Sequence, residues 1–160
     1  MNEYFIEGGQ KVDLNKLKSE AINSEEYKKM HASQIRACHD VFIEHNGGIL
    51  LVIRKQLPAK GIFWPIGGGV KRGIKTEDSM IIKAKEECGL DIFDLKEIGH
   101  ARTFFKTDPF GHGKGTDTIN LVYYAKGKGN LKLNNEHEKP LIIKPNEYKK
   151  LRNGFHPYVR

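Results

Sequence analysis

Apolar residues along this chain fall in short runs, and the spacing of those runs changes from one segment to the next. From Asp13 to about His31 the pattern is polar, with a thin stripe of Leu14, Leu17, Ala21 and Ile22. It predicts a helix that packs on the domain or on a second subunit. Ile35 to Glu44 (IRACHDVFIE) and Ile49 to Arg54 (ILLVIR) read as strands. His45-Asn46-Gly47-Gly48 between them has the chemistry of a hairpin turn. Ile92 to Phe105 predicts a strand interrupted near Lys96, and Thr118 to Ala125 another, which Lys126 to Gly129 turns towards Asn130 to Leu133. The intervening Lys106 to Thr116, with three glycines and one proline, has the length of a functional lid. Pro145 to Leu151 predicts a short helix with proline in its first turn. The order is helix, hairpin, helix, strands, helix, which predicts an α/β class fold with a mixed sheet and helices on its faces.

The remaining helix organises the chain. Gly67 to Leu90 (GGGVKRGIKTEDSMIIKAKEECGL) opens with a glycine-rich turn and closes with paired glutamates before Gly89. Thr76 is the expected N-cap, Glu77 and Asp78 suit the positive end of the helix dipole, and Gly89 suits a left-handed C-cap. Met80, Ile81, Ala84 and Cys88 form the expected buried stripe, with Lys83, Glu86 and Glu87 on the opposite side. Neighbouring carboxylates with access to solvent are what a hard, phosphate-bridging cation such as magnesium requires. Two other phosphate loops do not fit. Ile74-Lys75-Thr76 after Gly73 is one residue out of step with a P-loop, and Arg72 stands where a dinucleotide fingerprint needs glycine.

Composition narrows the partners. A length of 160 residues predicts one domain, and the net charge of +7 suits an anionic partner, either a phosphate-bearing small molecule or nucleic acid. Lysine-rich turns that merely solubilise the chain are an equal explanation of that charge. Cys38 and Cys88 sit among apolar neighbours and read as buried thiols in a reducing cytoplasm. There is no apolar run of the ~18 residues a membrane span needs, and the first residues lack the pattern of a signal peptide. A membrane partner is therefore not expected.

Laid from Gly68 to Leu90 without gaps, the stretch resembles the Nudix box: Gly, five residues, Glu, seven residues, Arg-Glu-apolar-x-Glu-Glu-x-Gly-apolar. It matches at Gly68, Ala84, Glu86, Glu87, Gly89 and Leu90, and departs at Ile74, Ile82 and Lys83, which replace Glu, Arg and Glu. Ile74 and Ile82 exchange a structural ion pair for two apolar residues, a change that can be neutral. Lys83 removes one metal-binding carboxylate and adds a positive charge beside the other two. The resemblance implies a single Nudix-type α/β/α sandwich over residues 1–160, with an N-terminal helical extension at 1–32 and the box at 67–90.

Much of residues 37 to 138 is similar to the GDP-mannose mannosyl hydrolase branch of that family. The shared residues are Asp40 to Glu44, Leu50-Leu51, Arg54, Pro58-Ala59, Gly61, a nearby Trp and Gly115-Thr116-Asp117, followed by Glu136-His137 where the branch has Gln-His. This likeness implies a magnesium-dependent hydrolase of a nucleoside diphosphate sugar, with manganese as an alternative ion, releasing the diphosphate and free sugar. It implies Glu87, Glu86, Glu136 and the Gly67 carbonyl at the metal, His137 as general base and Asp40 beside it. Arg54 matches a polar residue near the substrate, and because two arginines of the branch correspond to Gly69 and Ile82 here, Lys71, Arg72, Lys83 or Lys114 is expected to substitute for them. Attack at phosphorus by a nucleotide pyrophosphatase is the second expectation. A non-hydrolytic module binding a nucleotide or RNA is the third, with nucleic acid the less favoured partner. A homodimer through the N-terminal helix and a cytoplasmic location complete the expectations.

Overall fold

The computed structural model describes residues 1–160. In chain order its elements begin with a two-residue hairpin, β1 (Ile6–Glu7) and β2 (Gln10–Lys11), followed by a 3-10 turn at Leu14–Leu17 and helix α1 (Ser24–Ser33). Then come β3 (Arg36–His45), β4 (Gly48–Arg54), β5 (Phe63–Trp64), β6 (Ile66–Gly69) and α2 (Thr76–Cys88). The chain continues through β7 (Asp91–Phe105), β8 (Thr116–Lys128), β9 (His137–Ile143) and α3 (Pro145–Leu151), and ends in a 3-10 turn.

Strand β3 is the spine of the seven-stranded sheet, whose order is β5-β4-β3-β8-β7 with β6 added on β3 and β9 on β4. Its pairing with β8 is parallel, while β4 and β6 are antiparallel to it, so the sheet is mixed as expected. The β3–β4 turn places Asn46 and Gly47 at positive φ, as the Asn-Gly pair requires. Side-chain alternation along β3 divides the interior in two. Val41 and Ile43 join Leu50, Val52, Ile66 and Tyr123 beneath Met80, Ala84 and Cys88 of α2. On the other face Leu51, Trp64 and Ile143 pack with Phe155 and Val159, and Phe42 and Tyr148 flank them. Helix α2 thus covers one face, and the C-terminal segment with α3 at its edge covers the other. Cys38 and Cys88 are free and buried.

Three local expectations change. The polar N-terminal helix is broken: Asp13 accepts from the Asn15 N–H and caps only a 3-10 turn, and α1 starts at a reciprocal capping box between Asn23 and Glu26. The Asn-x-x-Glu spacing that restarts it is a strong N-terminal signal that outweighs the weak stripe before it. Thr76 is the first helical residue of α2, and Lys75 is the N-cap with no side-chain cap bond. The orphan donors are met instead by Glu3, whose Oε1 accepts from Thr76 N at 2.9 Å and from its Oγ1 at 2.6 Å. Ile81 is 41% exposed, whereas Glu87 is on the buried side of the helix, so the expected faces are rotated. Gly89 closes α2 in the left-handed conformation as expected.

Bulges set two registers that matter below. Strand β7 shifts against β8 between Phe93 and Lys96 and between Glu97 and Gly99. Strand β9 shifts against β4 between Leu51 and Ile53, and beyond the shift His137 lies opposite Arg54. Pro140, which has no N–H to donate, lies close by this irregularity.

Candidate active site

A cavity of about 350 Å³ opens where β3, β6 and β8 meet α1, α2 and the loop after β7. Its lining includes a linked polar cluster from β7 and β8. The Thr103 and Thr118 hydroxyls are 2.6 Å apart, and Asn120 Nδ2 donates to both, at 3.2 and 3.0 Å. Tyr27, Trp64, Phe105 and Phe110 supply apolar and aromatic wall. Helix α1 is part of that wall because Tyr27 meets Phe110 edge-on at 5.1 Å and His31 Nδ1 lies 2.7 Å from His112 Nε2.

Asp40 projects into this cavity from the buried spine strand. It pairs in register with Gly67 of β6, and a Cβ built on Gly67 would lie 2.2 Å from Asp40 Oδ1 and 2.4 Å from the His39 carbonyl. Only glycine allows so close an approach. Burial pushes the Asp40 carboxyl up to about 6, while the hydroxyl of Tyr158, donating to Oδ2 at 2.5 Å, pulls in the opposite direction. Tyr158 is in turn stacked on Trp64, with ring centres 4.8 Å apart and planes 12° from parallel.

Glu87 reaches the same cavity from α2. Its Oε2 accepts from the Gly67 N–H at 3.2 Å, and Lys83 Nζ stands 3.4 Å from its Oε1. Burial raises this carboxyl to about 7 against the opposing pull of Lys83. Behind it, the segment after β8 caps the end of α2: Lys132 N donates to Cys88 O and Asn134 N to Glu87 O, both at 2.9 Å. Asn134 Oδ1 accepts from Glu136 N at 3.0 Å and lies 3.0 Å from His137 Nδ1. That oxygen can only accept, so Nδ1 carries the His137 proton and Nε2 is the bare nitrogen. Nε2 faces Glu87 Oε2 across 3.9 Å, and burial lowers the imidazole to about 4.

The residues expected from sequence divide on this geometry. Asp40, Arg54, Gly67, Glu87 and Glu136 line the cavity. His137 is buried behind Glu87 and does not line it, so its imidazole is not placed to meet a water in the cavity. Glu86 turns outward to Lys71 at 2.6 Å, which draws both away from the cavity. Arg72 is held by the Leu17 carbonyl at 2.7 Å, and Lys114 lies on the exposed part of the loop. Of the expected cations Arg54 and Lys83 line the cavity, and Arg36 joins them. Arg36 Nη2 would be 2.6 Å from a Cβ on Gly69, so its guanidinium fills the space a side chain at position 69 would take. Arg36, Tyr158 and the Thr103-Thr118-Asn120 cluster carried no motif that sequence reading could find.

These donors fit a divalent ion only in part. No cluster of three or more His, Cys, Asp or Glu side chains able to hold a metal is present. Glu87 and Glu136 are the glutamates that reach the cavity, and both are hard oxygen donors. Magnesium accepts one or two carboxylates when substrate phosphates and water complete its shell, so this set suits an ion completed by a bound phosphate ligand.

No family model matches the sequence. Over 142 residues the chain is 28% identical to the low-salt glycan biosynthesis protein Agl8 of Haloferax volcanii, covering 86% of each protein. It is 38% identical over 73 residues to an ADP-ribose pyrophosphatase of Methanocaldococcus jannaschii, which is 46% of this chain and 43% of that one. Among solved structures it is similar to a MutT Nudix hydrolase from Burkholderia pseudomallei, with a TM-score of 0.57, 23% identity, and 68% and 82% of the two chains covered. It is also similar to a Francisella tularensis bifunctional NMN adenylyltransferase/ADP ribose pyrophosphatase complexed with AMP and a Mn ion. There the TM-score is 0.57 at 16% identity, covering 82% of this chain and 42% of that one. The chain has the Nudix fold, with a degenerate box.

Proposed function

We propose that this Nudix-fold protein hydrolyses a nucleoside diphosphate sugar of the GDP-mannose type at the glycosyl carbon. The observation that carries the reading is a single cavity in which Arg36, Arg54 and Lys83 face two buried carboxyls of raised pKa, Asp40 and Glu87. The similarity to a glycan biosynthesis protein along most of both chains supports a sugar-bearing substrate.

In this reading the three cations receive the diphosphate, and the aromatic wall of Tyr27, Phe110 and Trp64 excludes water around the rest of the ligand. Asp40 is the general base, in place of the buried His137. A carboxylate with a pKa near 6 is largely ionised at neutral pH yet still basic enough to accept a proton from water. The water oxygen bonds to the glycosyl carbon as its proton passes to Asp40. The bond from that carbon to the diphosphate oxygen breaks, and its electron pair leaves on the diphosphate. Arg36, Arg54 and Lys83 stabilise the charge that develops there. A magnesium ion held by Glu87 and Glu136 would add to that neutralisation when bound; manganese offers the same chemistry. The Gly67 N–H and Lys83 hold the Glu87 carboxyl in place.

A second reading, attack at phosphorus, is favoured by the likeness to an ADP-ribose pyrophosphatase. Chromatography of nucleotides after incubation with a panel of nucleoside diphosphate sugars and ADP-ribose separates the two. Nucleoside diphosphate as the product is expected; nucleoside monophosphate would establish the second reading, and no turnover would leave a binding module.

A further inference from the structure

Lys83 occupies the box position at which a metal-binding carboxylate is expected, and the structure shows what the exchange has done. Its side chain, one helical turn before Glu87, is 21% exposed and places Nζ 3.4 Å from Glu87 Oε1. Its Cε and Nζ lie 3.7 Å from where a Cβ on Gly68 would be, so the amine lies along the glycine turn that borders the cavity. Nζ also influences His39, Cys38 and His137, each of which its positive charge biases towards the less positive form. A positive charge beside Glu87 and open to the cavity does two of the tasks of a divalent ion there. It neutralises the carboxylate, and it offers an electrostatic partner to a phosphate. The same charge opposes a cation approaching Glu87, because like charges a few ångströms apart in a partly buried site repel strongly.

We propose that Lys83 is the resident cation of this cavity, binding a diphosphate directly so that ligand enters before, and without, a divalent ion. The inference rests on the reading of the cavity as a diphosphate site. It assigns the order of assembly: diphosphate first, then any ion, which takes part of its shell from the bound phosphates. Arg36 and Arg54 complete the receiving set, and Arg54 is already aimed by the bond from its Nε to the Pro58 carbonyl at 2.9 Å.

The test uses calorimetry with ADP and GDP, and electron paramagnetic resonance of free manganese, on the parent and on Lys83→Gln and Lys83→Glu. In EDTA the parent should bind a nucleoside diphosphate with an affinity within about threefold of that measured with magnesium. Lys83→Gln should lose about tenfold of its affinity in EDTA, as expected for one charge-assisted contact. Lys83→Glu should bind manganese at least about tenfold more tightly than the parent, and its diphosphate binding should require the ion. Lys83→Arg, which keeps the charge, should retain binding in EDTA and so separates charge from fold. Parent binding that disappears in EDTA, or a Lys83→Glu protein that holds manganese no better than the parent, overturns the role of Lys83. A parent that binds neither ADP nor GDP under any condition overturns the diphosphate reading beneath it.

Discussion

The hydroxyl of Tyr158 donates to Asp40 Oδ2 at 2.5 Å, joining the C-terminal turn to the central strand across 118 positions of sequence. Asp40 is buried among β3, β6 and the Trp64–Tyr158 stack, where an unpartnered carboxylate would be costly. Tyr158 supplies a donor that favours the ionised form, so it acts on the base through a hydrogen bond rather than through the substrate.

Replacing Tyr158 with Phe removes that donor while leaving a ring to stack on Trp64. Loss of one hydrogen bond to a charged acceptor is worth about 1.5–3 kcal/mol. The Asp40 pKa should therefore rise above its value of about 6, and the acidic limb of the pH–rate profile should move to higher pH. A profile that only drops in height, with the limb unmoved, would separate Tyr158 from the base.

Asp40 should also be a stability liability. Its folded pKa of about 6 lies above the ordinary 3.8, so the folded state holds this proton more tightly and loses stability as pH rises through that window. Asp40→Asn removes the loss, giving a variant more stable than the parent at pH 8 by up to about 3 kcal/mol and little different at pH 4. His137 has the opposite sign. Its folded pKa of about 4 lies below 6.5, so it adds stability as pH rises between those values. The comparison of variant with parent cancels that term. Thermal melts at the two pH values make the measurement, and equal melting temperatures at pH 8 would show that the Asp40 charge is not strained.

Gly67→Ala places a methyl group 2.2 Å from Asp40 Oδ1 and 2.4 Å from the His39 carbonyl, the latter a backbone atom that cannot swing away. The β3–β6 pairing must shift to admit it. Overpacking of this kind costs about 1–3 kcal/mol or more, and denaturant unfolding should show a loss of at least that size. Gly69→Ala meets only the flexible end of Arg36, so it should cost less stability while displacing a cavity cation. A Gly67 variant as stable as the Gly69 variant would contradict the packing described.

Phe110 holds α1 against the cavity, in edge contact with Tyr27 at 5.1 Å and with His31 at 4.9 Å. Phe110→Ala should raise KM for a nucleoside diphosphate sugar by about tenfold with little change in kcat, the signature of lost uniform binding. Equal falls in kcat and kcat/KM would instead place this wall at the transition state.

The sheet was legible from local pattern because β3 and β4 carry strong apolar runs and an Asn-Gly turn. The α2 termini were only half legible. Gly89 is an intrinsic stop, but the donors at the start are met by Glu3, a partner 73 residues away that no local spacing announces. The same limit applies to the cavity. Asp40, Arg54, Gly67, Glu87 and Glu136 lie in matched motifs. Arg36 reaches it only through a tertiary contact across Gly69, and Tyr158 acts on it only through its bond to Asp40. His137 shows a further limit: a motif fixes a residue type, whereas its bond to Asn134 and its burial decide which way its free nitrogen faces.

The most direct measurement is hydrolysis of GDP-mannose and related nucleoside diphosphate sugars in oxygen-18 water, followed by phosphorus NMR and sugar mass spectrometry. The parent should release nucleoside diphosphate with no isotope shift and a free sugar carrying the label, and Asp40→Asn should be slower by at least about a hundredfold. Label on phosphorus, nucleoside monophosphate as product, or an undiminished Asp40→Asn rate would contradict water attack at the glycosyl carbon with Asp40 as its base.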